Sequence, residues 1–246
     1  MDNNGVSNTG SDEGTLGSAR DDMAETAAAR SNVYGLLATV FRAEPKKALI
    51  RQLMDPGLVE FFAGLGVSFG EDFLNTPDDE LDQLEEDLAV EFCALFIGPG
   101  DFLSPHESVH VVEITGEPKK MHWGQETVQV KKFIEAAGLK IEESFSGNPD
   151  HISAELELME KLTRREAEVW EEGKRELALD CLKIQKKFFE EHLDRWVPAL
   201  CDKISATTEH PFYQGFAEVT KGFLEYEGKT LQDFIAEAEN GEDDSE

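Results

Sequence analysis

The sequence predicts an all-α protein, a single globular domain of roughly eight to ten helices. Three observations carry that expectation. Apolar residues recur at three- and four-residue spacing through most of the chain, as they do on one face of a helix. The period-two alternation of a half-buried strand is nearly absent, apart from a few residues around Val109 to Ile114. Helix start and stop signals, counted along the chain, delimit that number of segments. With 246 residues, 40% of them hydrophobic, the chain is long enough to build a real core. No internal repeat is visible.

In chain order, residues 1 to 20 are rich in Gly, Ser, Asn and Asp and read as a disordered polar tail, not a secretory signal. A first helix is expected from Asp21 or Asp22, whose carboxylates suit a helix N-terminus. It runs through Ala27-Ala28-Ala29 and Val33 to Leu37, ending at Phe41 before Pro45. Gly35 inside it suits a close helix contact. A short helix follows from Pro45 to Leu53, with Pro in its first turn. Asp55-Pro56-Gly57 makes a turn, Leu58 to Leu65 is one or two helical turns, and Gly66 to Thr76 reads as loop. Pro77 is expected to open the next helix, in which Leu88, Phe92, Leu95 and Phe96 share a face. Gly98-Pro99-Gly100 must stop it, since Gly costs about 1 kcal/mol and Pro about 3 kcal/mol in a helix interior. The following loop stays apolar: Phe102, Leu103, Pro105, Val109, Val111 and Val112. Such a loop is either buried or open for a partner.

Helix is expected again from Glu117 to a Gly138 cap, followed by a hinge-like loop from Ile141 to Gly147. Asn148 suits an N-cap and Pro149 a first helical position, opening a helix faced by Ile152, Leu156, Met159 and Thr163. A final helix lies near Pro211 to Glu225, and residues 237–246 form a disordered acidic tail, leaving 21–236 as the folded domain.

Three of these segments resemble the TorD/DmsD/NarJ-like family of cytoplasmic chaperones that mature molybdenum-cofactor oxidoreductases. The first is Glu91-Phe92 with Leu95-Phe96-Ile97-Gly98-Pro99-Gly100, then Ser104-Pro105 and Ser108-Val109. The second is Pro149-Asp150-His151 with Glu155-Leu156. The third is His192-Leu193-Asp194-Arg195-Trp196-Val197-Pro198. Their order and spacing match along about residues 27 to 225. The resemblance implies a TorD-like helical bundle and a non-catalytic chaperone without a cofactor. It further implies binding to an immature molybdoenzyme catalytic subunit, to its twin-arginine leader, or to both, until the cofactor is inserted and the enzyme exported. The residues it implicates in client or leader binding are Glu91, Phe92, Leu95, Phe96, Gly98, Pro99, Pro105, Ser108, Asp150, His151 and Glu155. An apolar groove rimmed by Glu91, Asp101, Glu107 and Asp150 would suit a leader's arginine pair and apolar stretch. His106 stands where some members carry an aromatic residue, and the long polar N-terminal tail is additional.

Two structural readings compete with that one. Asp150 can simply cap its helix while His151 bonds a neighbouring loop and Glu155. The apolar set from Phe92 to Pro105 can simply be core. An enzyme reading, a helical metal-dependent hydrolase using Glu91, Asp150, His151 and Glu155, is the alternative. His106 and His110 lie four apart with Glu113 beyond, but no His-Glu-x-x-His pattern or cysteine completes a metal set. Nor is there a nucleophile elbow or a phosphate loop.

Acids outnumber bases 52 to 23, giving a net charge of -29. That argues against nucleic acid and anionic membranes as partners and favours a basic partner or plain solubility. No stretch approaches the roughly 18 apolar residues of a membrane span, so no membrane insertion is expected. Cys93, Cys181 and Cys201 are odd in number and far apart, which argues against a disulfide framework or zinc ribbon. The chain reads as cytoplasmic and mainly monomeric, with a minor domain-swapped dimer permitted by the 141–147 hinge.

Overall fold

The computed structural model describes residues 12–64, 66–115 and 149–240. The helix expected from Glu117 to Gly138, the 141–147 hinge, the Asn148 cap and the last six residues lie outside them. Among the described residues the chain is all helix, with no strand. The helices are α1 (Asp12–Arg42), α2 (Lys47–Leu53), α3 (Pro56–Gly64), α4 (Glu71–Leu74), α5 (Leu81–Phe96), α6 (Glu107–Thr115), α7 (Ile152–Glu171), α8 (Arg175–Phe188), α9 (Asp194–Thr207) and α10 (Pro211–Asn240). A single π-helical turn, Phe189–Leu193, joins α8 to α9.

Several boundaries differ from expectation, each for a local reason. α1 starts at Asp12, upstream of Asp21, so part of the expected tail is helical. α10 continues past Glu225 to Asn240 and takes in the beginning of the acidic tail. Its Leu231, Ile235 and Ala238 are buried, and the Ala238 carbonyl accepts from Nε of Arg175 at 2.5 Å. Pro45 precedes α2, whose N-cap is Lys46. Pro56 opens α3, because the Asp55 carboxylate accepts from the N–H groups of Gly57 (3.0 Å) and Leu58 (3.3 Å). The expected 66–76 loop contains α4, held by buried Phe73. α5 begins at Leu81, after a turn that follows Pro77.

The core lies where α1 packs along α7, α7 along α8, and α10 across α8 and α9. At Gly35 a side chain would meet Glu160 at 3.3 Å, so glycine here sets how closely α1 and α7 approach. Phe62, Phe69, Phe73, Phe212 and Phe216 form one aromatic cluster, with ring centres 4.8 to 6.2 Å apart, that fixes the 56–74 region on α10.

Between those helices sits a fully buried charge network. The Arg30 guanidinium donates to both Glu227 carboxylate oxygens (2.7 and 2.8 Å), to Glu166 (2.9 Å) and to Gln185 (2.6 Å). Tyr34 donates to Glu227 at 2.9 Å, and Gln185 to Glu166 at 2.8 Å. Every charge in it has partners, which is the condition for tolerating ions at such depth. It joins α1, α7, α8 and α10 and holds the scaffold on which the three motifs meet.

Candidate functional site

The three motif segments converge at the N-terminal ends of α6 and α7. Each helix start leaves backbone N–H groups without intrahelical partners. Here the two starts satisfy one another. Glu107 N–H donates to the Asp150 carbonyl and Ile152 N–H to the Pro105 carbonyl, both at 2.9 Å, forming one antiparallel bridge at His106 and His151. The Asp150 carboxylate accepts from Ser108 N–H at 3.4 Å, at the first turn of α6. His151 caps its own helix: its Nδ1 accepts from Ser153 N–H at 3.1 Å and lies 2.8 Å from Ser153 Oγ.

This corrects the local reading. α7 begins at Ile152, so Asp150 precedes the helix, and its carboxylate serves the neighbouring one. The stretch after Ser104, expected as apolar loop, is helical from Glu107, so the alternation around Val109 to Ile114 does not mark a strand. The long-range bridge between 106 and 151 is what lets both helices start there.

Burial sets the charge states. Asp150 is 1% exposed, which alone would raise its carboxyl, but His106 and Ser108 beside it hold it below its ordinary value. Nδ1 of His106 lies 3.5 Å from Oδ1 of Asp150. Burial, and the charges of His106 and Arg42, lower His151 to about 4 in spite of Asp150. A neutral imidazole is what capping through Nδ1 requires.

Beneath this turn lies a buried polar floor. His192, placed by the π-turn, donates from Nδ1 to Glu107 at 2.9 Å, and both side chains are fully buried. Trp196, one turn on, donates from Nε1 to Glu155 at 3.1 Å. His110 stacks on Trp196, ring centres 5.2 Å apart, and its Nε2 donates to the Ser104 carbonyl at 2.7 Å. Burial, then repulsion from Glu107, pushes Glu155 well above the ordinary carboxyl range, against the Trp196 hydrogen bond.

Above the floor opens a groove of about 820 Å³. Phe92, Phe96, Ile97, Phe102, Leu103 and Pro105 supply its apolar wall. Gly98 takes φ 69°, in the left-handed region, and turns the chain so that Phe102 folds back over it. Ile97 and Phe102 are about half exposed, whereas Phe92, Leu95 and Phe96 are largely core. Ser104, His106, Val109, His110, His151, Arg42 and Lys203 complete the lining.

The expected residues therefore divide. Phe92, Phe96, Pro105 and His151 line the groove. Gly98 shapes it, Pro99 is exposed in the turn, and Ser108 sits at the α6 start. Leu95 is core; Asp150 and Glu155 are buried beneath. Glu91 lies elsewhere, accepting from the Thr208 hydroxyl between α9 and α10. The expected carboxylate rim is not formed: Glu107 is paired inside with His192, and Asp101, though exposed, does not line the groove. Arg42 and Lys203 carried no signal of their own in the sequence. The inward-facing pair His192 and Trp196 was legible only as the third motif, whose four-residue spacing puts both on one helix face.

A family model for the nitrate reductase delta subunit matches residues 57–202, more than half of the chain and all three motifs. The chain is 24% identical to a chaperone protein TorD of Vibrio cholerae (strain O395) over 220 residues, covering 85% of this chain and 94% of that protein. It is 24% identical to a chaperone protein TorD of Shewanella sp. (strain MR-4) over 219 residues, 84% and 96% of the two chains. A chaperone protein TorD of Vibrio parahaemolyticus is 24% identical over 215 residues, 82% and 94%. By the family match and the motifs together, the chain belongs to the nitrate reductase delta subunit family, of NarJ and TorD type.

Proposed function

We propose that this chain is a non-catalytic maturation chaperone. It holds an unfinished molybdenum-cofactor oxidoreductase subunit by its twin-arginine leader, in the cytoplasm, until the cofactor is inserted and export can begin. The observation that carries this reading is the half-exposed apolar wall formed by Ile97 and Phe102 on a groove built from the family motifs. An apolar wall of that kind suits a leader's apolar stretch, and burial at roughly 25 cal/mol per Å² supplies affinity without chemistry. The relatives' common name as chaperones supports it.

The hydrolase alternative loses its geometry. Glu91 is turned toward Thr208, Asp150 and Glu155 are buried in structural bonds, and His151 caps a helix. Among the described residues no three His, Cys, Asp or Glu side chains are grouped to hold a metal ion.

The test is isothermal titration of a leader peptide from a molybdoenzyme of the same organism. Phe102→Ala removes an exposed ring from the wall and should weaken binding by about ten-fold or more. Leu177→Ala, exposed on α8 away from the groove, should leave it unchanged. Equal binding by wild type and Phe102→Ala would move the site elsewhere.

A further inference from the structure

We propose that the bound client segment does not end at the apolar groove. It continues along the exposed face of α5 and seats basic side chains in a second groove at the other end of that helix. This rests on the leader-groove reading above and adds its direction and register.

The second groove, about 770 Å³, lies between the 69–77 segment, the start of α10 and the N-terminal half of α5. Glu71, Asp72, Glu80 and Asp87 all line it, with no lysine or arginine among its lining residues. None of the four is paired with a cation among the described residues, and Asp87 accepts only from Gln83 Nε2 at 2.9 Å. On the flank of the same helix, Asp82 is paired with Lys47 and Glu85 with Lys46. These four acids without a cation partner among the described residues thus share one groove.

Between the two grooves runs one helix face that is exposed among the described residues. Gln83, Asp87, Val90, Ala94 and Ile97 recur at four- and three-residue steps and are all exposed. Val90 is 69% exposed and Ile97 56%, the two most exposed large apolar side chains among the described residues. Asp87 lines the acidic groove and Ile97 the apolar one, so the face connects them. From Asp87 to Ile97 the helix rises about 15 Å, the reach of roughly five extended residues.

Charge selects the occupant. The apolar groove is lined by no carboxylate, and of its two basic residues, Arg42 and Lys203, Arg42 is already paired with Glu157, so it offers a cation no partner. The acidic groove offers four carboxylates for charge-assisted bonds. A segment with a basic pair separated from an apolar stretch by about five residues meets both ends in only one direction: basic side chains toward the start of α5, apolar ones toward its end.

The probe is a fluorescent synthetic peptide with an arginine pair, a five-residue Gly/Ser spacer and a Leu/Ala/Phe stretch, measured by anisotropy against the full chain. Glu80→Lys with Asp87→Lys, both solvent-exposed, should weaken binding about ten-fold or more. A peptide with the arginines replaced by glutamine should bind wild type and this variant alike. Glu218→Lys with Asp233→Lys, exposed on α10, makes the same change in net charge and should have little effect at physiological salt. Spacers of one or ten residues should bind more weakly than five. If the α5 reversal behaves like the α10 control while Phe102→Ala still weakens binding, the acidic groove is not used and only this proposal falls. If the wild-type chain binds neither this peptide nor the natural leader, the leader-groove reading falls with it. Thermal melts of both double variants establish that each remains folded.

Discussion

His151 holds α7 by accepting a hydrogen bond, and a histidine can do this only while neutral. Its folded value is lowered to about 4 from an ordinary 6.5. Between those values the unfolded chain binds a proton that the folded chain refuses, so stability falls as pH drops from about 6.5 toward 4. The ceiling on that loss is about 3 kcal/mol, reduced by the residue's partial exposure. His151→Asn keeps a good N-cap without a titrating group, so urea unfolding at pH 7 and pH 5 should differ less in the variant than in wild type. An unchanged difference would show that the slope comes from another group. Glu155 has the opposite sign. Its folded value is raised, so wild type loses stability as pH climbs above the ordinary carboxyl range. Glu155→Gln keeps an acceptor for Trp196 and removes the repulsion with Glu107. It should raise the melting temperature more at pH 8 than at pH 5; a lower melting temperature at pH 8 would contradict this. In both cases residue type pointed to a polar function, and residue type marks surface by default. That Asp150, Glu155 and Glu107 lie inside depends on partners far along the chain, which no local pattern carries.

At the scale of elements, α10 shows where local signals stop short. Its apolar spacing from Phe212 through Phe223 is regular, while the stretch beyond Glu225 is increasingly acidic, and the sequence places the helix end there. What extends the helix is tertiary: Leu231, Ile235 and Ala238 pack against the core and Glu227 binds Arg30. A chain ending at Tyr226 should therefore lose more than an exposed tail would cost. Removing Glu227 leaves a buried guanidinium with half its hydrogen bonds, a loss of about 3–5 kcal/mol before the lost apolar burial is added. Against a total stability of roughly 5–15 kcal/mol, the shortened chain should show little or no cooperative melt. A native-like melting temperature would mean that α10 beyond Tyr226 is dispensable. α6 makes the complementary point. Its residues Val109, Val111 and Val112 are weak helix formers, and the bridge to 151 and the Asp150 carboxylate start the helix regardless.

For the molecule as a whole, charge bears on assembly. With a net charge of -29, two copies repel at low ionic strength. Light scattering should give the mass of one chain, with a minor dimer that grows with salt; a dimer independent of concentration and salt would overturn this. The sequence by itself determined the all-α class, from apolar spacing that only helices satisfy, and the family, from three motifs in order. It also singled out segments of which part lines a groove, because Gly98-Pro99-Gly100 must end a helix and an apolar loop must find a surface. Tertiary structure alone decided which of those residues face the groove and which lie beneath it. Glu107 goes inside against a distant partner, His192, whereas Glu155, met there only by the Trp196 N–H, goes inside with its charged form disfavoured. The groove's lining consequently holds Arg42 and Lys203 where the sequence suggested acids, and four carboxylates share a second groove at the far end of α5, where the 69–77 segment meets the start of α10.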